Sequence, residues 1–160
     1  MLVRNLMAAA ALLMAAPTAA SPGIGESVTD ASFTTAYGQQ LSMADLRGEV
    51  VVLTYWMTDC DVCKKQLDVL DYYYRQRRNV GLRVLAITPE DLGVRQLQHA
   101  FRDKAIHPVA SLRGDLGPGT GLPTTYIIDR NGQLRYAGSG GLEIDKLNEI
   151  LVPLLRQPQP

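Results

Sequence analysis

With 160 residues, 46% of them hydrophobic and 20% charged, the chain has the composition of one folded domain, not of a disordered or membrane-embedded protein. Lys plus Arg equals Asp plus Glu at 16 each, so nothing in the charge favours nucleic acid or an anionic membrane surface as a partner. There are 2 cysteines, Cys60 and Cys63, and a bridge between them closes too short a loop to stabilise a fold by loop entropy.

In chain order, residues 1–20 read as a secretory leader. Arg4 supplies a positive start, residues 6–16 are an unbroken apolar run, and Thr18, Ala19 and Ala20 place small residues before a cleavage point ahead of Ser21. The run is shorter than the roughly 18–20 apolar residues of a membrane span, and no cysteine follows it to carry a lipid. The expectation is a periplasmic or otherwise extracytoplasmic protein, soluble once the leader is removed. Residues 21–31 form a flexible lead-in, 32–156 the domain, and 157–160 a polar tail.

Residues 32–37 form a short strand ended by Gly38, and Ser42 caps one helical turn over 43–46, stopped by Gly48. Residues 49–56 are β-branched and nearly all apolar, the pattern of a strand buried on both faces. Residues 59–78 follow as a long helix, with Val62, Gln66, Val69, Leu70 and Tyr73 at helical spacing. A second buried strand covers 82–88, a helix 92–104, and a short extended piece 109–112. After a loop over 114–121, a strand at 124–128 turns back through the two residues Asn131 and Gly132 into a strand at 133–137. Residues 143–156 make the last helix, which Pro153 should shorten or kink. Strand–helix–strand order implies parallel strands joined by crossovers, and the hairpin adds antiparallel ones. The expected architecture is α/β: a mixed central sheet with helices on both faces.

Cys60-Asp61-Val62-Cys63 falls where the buried strand ends and the long helix begins. A cysteine at a helix N-terminus meets unpaired backbone N–H groups and the positive end of the helix dipole, which favour a thiolate. The three-residue offset puts Cys63 one turn on, within reach of Cys60. This gives a dithiol in which Cys60 attacks a substrate disulfide and Cys63 resolves the mixed disulfide. No cofactor is needed beyond that redox-active disulfide. A structural zinc site would need two more ligands. The two histidines, His99 and His107, read as a solvated helix residue and a loop residue, and Cu(I) on the two thiolates stays open as an alternative.

The segment 55–65, Tyr-Trp-Met-Thr-Asp-Cys-Asp-Val-Cys-Lys-Lys, resembles the active-site segment of thioredoxin-like proteins of the TlpA/ResA-like branch. The segment 121–129, Gly-Leu-Pro-Thr-Thr-Tyr-Ile-Ile-Asp, resembles that family's second signature. The resemblance implies a thioredoxin-like three-layer α/β/α fold and thiol–disulfide oxidoreductase activity. It also implies a cis Leu122–Pro123 bond beside the dithiol that leaves backbone groups near Thr124 free for a substrate chain, and a flanking role for Trp56. Family partners are protein disulfides or dithiols, such as apocytochrome c cysteines or metal-site assembly proteins, and a membrane-bound electron donor. Three positions depart from the pattern: Asp59 replaces a frequent Trp, Val62 a frequent Pro, and Thr54 a buried carboxylate. Asp59 and Asp61 put two negative charges beside Cys60, which disfavours its thiolate and leans the chemistry toward reduction. A peroxiredoxin-like peroxidase is a further alternative, but the Thr-x-x-Cys pattern with an upstream proline is absent, since Met57 stands three residues before Cys60.

Overall fold

The computed structural model describes residues 21–159; the expected leader lies outside the described residues. Seven strands form one mixed sheet in the order β2-β1-β5-β4-β3-β6-β7. They are β1 (Ser32–Thr35), β2 (Gln40–Ser42), β3 (Val50–Tyr55), β4 (Leu82–Ile87), β5 (His107–Arg113), β6 (Thr124–Ile128) and β7 (Leu134–Ser139). The helices are α1 (Asp61–Arg77), α2 (Val94–Ala100) and α3 (Ile144–Arg156). This is the mixed α/β sheet expected from the element order, and the thioredoxin-like fold that the resemblance implied.

The strand β3, apolar but for Thr54, is central because it is the one that can be buried on both faces. It pairs in parallel with β4 and antiparallel with β6, and all its residues are buried. Its alternation divides the interior in two. Val50 and Val52 face a core completed by Leu67 and Leu70 of α1, Leu97 of α2, and Leu147 and Leu151 of α3. Val51, Leu53 and Tyr55 face a second core closed by Val28, Ala31, Met43, Leu46 and Leu116. All three helices thus lie on one face, and the expectation of helices on both faces is corrected: the third layer is made of turns and a loop. The cause lies in 114–123, whose Gly and Pro residues keep the chain extended as it crosses from β5 to β6. Tyr55 Oη donates to Leu116 O at 2.5 Å and Tyr126 Oη to Gly117 O at 2.8 Å, holding that crossing down.

Other boundaries moved for tertiary reasons. Ser42 does organise a turn, its hydroxyl accepting from Asp45 N–H at 3.2 Å, but the turn does not become a helix. The unforeseen β2 precedes it, paired with β1. α2 is shorter than its apolar spacing, starting at Val94 with Gly93 as cap. β5 is longer, because it pairs with both β4 and β1. The hairpin turn is wider than two residues. Asp129 Oδ1 accepts from the N–H groups of Asn131 at 2.9 Å and Gln133 at 3.0 Å, and Gly132 takes φ +72. α3 is not shortened: it continues past Pro153 to Arg156, since burial of Leu147, Leu151, Leu154 and Leu155 outweighs one missing backbone bond.

Candidate active site

β3 delivers the chain to the site. After Tyr55, Trp56 N–H donates to Ile87 O at 2.9 Å, prolonging the β3–β4 ladder by one bond. The chain then turns, Cys60 N–H donating to Met57 O at 3.3 Å. Cys60 is the N-cap of α1 in extended conformation, and its Sγ accepts the N–H of Cys63 at 3.2 Å. The sulfur therefore does what a Ser or Asp oxygen does at other helix starts, taking a donor the helix leaves unpaired. An anion there gains from the same N–H and from the helix dipole. Cys60 and Cys63 are joined as a disulfide. They differ in access: Cys60 is half-exposed, whereas Cys63 is 0% exposed, in the core with Leu67 and Leu70.

The second signature arrives from the other side of β3. The antiparallel register sets Thr124 opposite Tyr55, so Leu122 and Pro123 stand at the end of the sheet where the cysteine turn begins. The Leu122–Pro123 bond is cis, and Pro123 O accepts Gly140 N–H at 2.8 Å. Leu122 packs against both cores. The Thr124 hydroxyl lies 2.6 Å from Pro118 O, beside Gly121 O, and 3.2 Å from Ser139 Oγ, tying the proline to the crossing loop and to β7. Trp56 is buried and meets Phe101 edge to face at 5.3 Å, so it packs in the core as well as flanking the turn. Thr54, in the place of the thioredoxin carboxylate, is 0% exposed and shares a 3.3 Å hydrogen bond with Thr125 Oγ1 on β6.

The charged neighbours are less intimate. Asp59 is exposed. The Asp61 side chain is 93% exposed and 3.4 Å from Lys64 Nζ. Three residues make contacts around the site that the sequence reading did not assign. Glu90, just beyond β4, accepts the Thr58 N–H at 2.7 Å and the Thr58 hydroxyl at 2.5 Å. Gln66 accepts the N–H of Leu142, joining α1 to the loop after β7. Gly141 lets that loop lie against Val62, since a Cβ there would stand 3.2 Å from Val62 Cγ2. None carries a sequence signal, because each acts through a partner far along the chain.

Two clefts flank α1, and neither is lined by Cys60 or Cys63. One of about 370 Å³ is lined by Val62, Gln66, Val69, Gly141 and Leu142, the other of about 300 Å³ by Trp56, Thr58, Lys64, Leu67 and Phe101. A larger cleft of about 520 Å³, at β1, β2 and β5, contains no part of the dithiol. Among the described residues no group of three or more His, Cys, Asp or Glu side chains is placed to share a metal ion, and no helix is long and apolar enough to cross a membrane.

Residues 24–111 match the AhpC/TSA family. The chain is 27% identical over 135 residues to the thiol-disulfide oxidoreductase ResA of Geobacillus kaustophilus, a match covering 80% of this chain and 76% of that one. It is 27% identical over 116 residues to ResA of Bacillus thuringiensis, covering 69% and 66%. Among solved structures, a thiol:disulfide interchange protein DsbE from Chlorobium tepidum superposes with a TM-score of 0.69 at 21% identity, over 84% of this chain and 99% of that one.

Proposed function

We propose, for a chain that belongs to the AhpC/TSA family and is a thiol–disulfide oxidoreductase acting on protein substrates, that it works in the reductive direction outside the cytoplasm. The observation that carries the proposal is the division of the two sulfurs: Cys60 half-exposed and capping α1, Cys63 wholly buried behind it. In the reduced protein, Cys60 thiolate attacks one sulfur of a substrate disulfide. The Cys60–substrate bond forms, the substrate bond breaks, and the leaving substrate thiolate takes a proton. Cys63 then loses its proton and attacks Cys60 Sγ, expelling the second substrate thiolate. Two electrons and two protons pass to the substrate, and the protein is left as the Cys60–Cys63 disulfide. A membrane-bound dithiol donor would return it to the reduced form.

Trp56, Leu122, Pro123 and Thr124 shape the surface on which the substrate chain lies. The free backbone groups before Pro123 suit an extended peptide, paired as an added strand. The substrates implied by the family resemblance are apocytochrome c cysteines or the cysteines of metal-site assembly proteins. Asp59 and Asp61 neighbour Cys60 in the chain, and their charges favour the reductive direction to the extent that exposure and the Lys64 pairing leave them unscreened. Export rests on the composition of 1–20; residues 21–31 are not a free lead-in to the domain, since Val28 and Ala31 pack in its second core.

Mixed-disulfide trapping tests the division of labour. With Cys63→Ser, a disulfide-bonded peptide should stay attached through Cys60, because nothing can expel it. Cys60→Ser should capture nothing comparable. Faster alkylation of Cys63 than of Cys60 in the reduced protein would reverse the assignment.

A further inference from the structure

We propose that Glu90 positions the nucleophilic cysteine by clamping the turn Met57–Cys60 through Thr58, and that its fixed negative charge weights the dithiol toward reducing its substrates. This rests on the thiol–disulfide chemistry and direction proposed above.

The geometry is that of a clamp. One Glu90 oxygen accepts the Thr58 backbone N–H at 2.7 Å, and the other accepts the Thr58 hydroxyl at 2.5 Å. The carboxylate is itself held: Thr88 Oγ1 donates to it at 3.1 Å and accepts the Glu90 N–H at 3.1 Å. The short turn leading to the nucleophile is thereby tied to the end of β4. Thr58 is the second residue of the turn that Cys60 N–H closes onto Met57 O at 3.3 Å. Two trans peptides span at most about 7.6 Å between Cα atoms, so Thr58 holds the carboxylate in the neighbourhood of Cys60.

Glu90 stays ionised. The Thr58 hydroxyl bond is the main cause that holds its carboxyl below the ordinary carboxylate range, outweighing its partial burial, with the Thr58 N–H and Thr88 bonds adding to it. The other charges facing this end of the molecule are less constrained. Asp59, Asp61 and Asp91 are exposed, Asp61 being paired with Lys64, while Lys104, in the turn after α2, is paired with Asp68 at 2.5 Å. An exposed side chain spreads its charge over many positions and is screened by salt. The Glu90 carboxylate is held by hydrogen bonds to the backbone and side chain of the turn itself. It opposes the helix N-terminus at Cys60, and a less stable thiolate makes a more reducing dithiol.

The test is Glu90→Gln, which keeps the size and one acceptor but removes the charge, beside Glu90→Ala and Thr58→Val, which remove clamp bonds. The mature oxidised and reduced proteins are followed by Cys60 alkylation rate against pH, by equilibrium with glutathione, and by thermal unfolding. One charge at roughly 8–10 Å in a medium close to water is worth about a third of a pH unit. The Glu90→Gln alkylation profile should therefore move down by about a third of a unit. Its glutathione equilibrium should shift toward the dithiol by up to about twofold. Glu90→Ala and Thr58→Val should also slow reduction of disulfide-bonded insulin. If Glu90→Gln lowers the unfolding temperature while its profile and equilibrium match wild type, Glu90 is only a loop anchor and the proposal is overturned. If the wild-type protein does not reduce insulin at all, the functional reading fails first and takes this one with it.

Discussion

The hydroxyl pair Thr54–Thr125 allows a quantitative test of what stands in the core where thioredoxins carry a carboxylate. Both residues are 0% exposed, and their hydroxyls lie 3.3 Å apart across the β3–β6 register. Thr54→Val removes one partner while keeping the β-branched shape. It forfeits a bond worth about 0.5–1.5 kcal/mol net and strands the other hydroxyl, which costs about 1–3 kcal/mol if no substitute partner is found. Each single variant should therefore lose on the order of 2 kcal/mol. In Thr54→Val/Thr125→Val no hydroxyl is left stranded and two apolar groups replace polar ones. Burial of apolar carbon at about 0.8 kcal/mol per group offsets the lost bond, so the double variant should lie within about 1 kcal/mol of wild type. Urea unfolding of the oxidised protein measures this as midpoint shifts at unchanged slope, with the coupling energy given by the double-mutant cycle. Because a threonine hydroxyl is no proton acceptor at neutral pH, the double variant should also reduce insulin at the wild-type rate. Additive losses in the cycle would refute the reasoning, since they would mean that each hydroxyl is satisfied without the other.

Two further outcomes follow from the structure and the proposed export. Asp71 is 8% exposed; burial alone would raise its pKa, but the Arg75 guanidinium at 2.7 Å and the N–H groups of Ala105 and Ile106 win and hold it below the ordinary range. A depressed folded-state pKa gives stability that is complete above the unfolded carboxylate value of about 3.9 and is lost as pH falls through the folded value. Asp71→Asn should therefore be less stable at neutral pH and show a flatter loss of stability in acid, read by thermal unfolding between pH 7 and 2; parallel curves would contradict the assignment. The protein recovered from a periplasmic fraction should begin near Ser21 on N-terminal sequencing, whereas an intact chain confined to the cytosol would count against export.

The chemistry of this protein was legible in sequence because it is local. Cys60 and Cys63 sit at a strand-to-helix junction, and helix geometry alone brings a residue three positions on within reach of the first and supplies an N–H to its sulfur. The parallel β3–α1–β4 unit was legible for the same reason: the nearly continuous apolar run of 50–55 demands burial on both faces, and the helical spacing after it demands one apolar face. Pro123 needed the family resemblance, because nothing local says that the chain before residue 124 returns to the end of β3; the antiparallel register that sets Thr124 opposite Tyr55 decides that. Tertiary structure alone decided which face the helices occupy: the loop over 114–121 was legible from its Gly and Pro residues, but only the packing of Leu116 under Tyr55 shows that it covers the face the helices leave open. It alone brought Glu90 to Thr58, and it alone placed Asp61 in solvent against Lys64. A carboxylate's influence on a thiol depends on distance and screening, and sequence proximity measures neither. Asp59 and Asp61 are neighbours of Cys60 in the chain, while the carboxylate hydrogen-bonded to the nucleophile's own turn comes from the end of another strand.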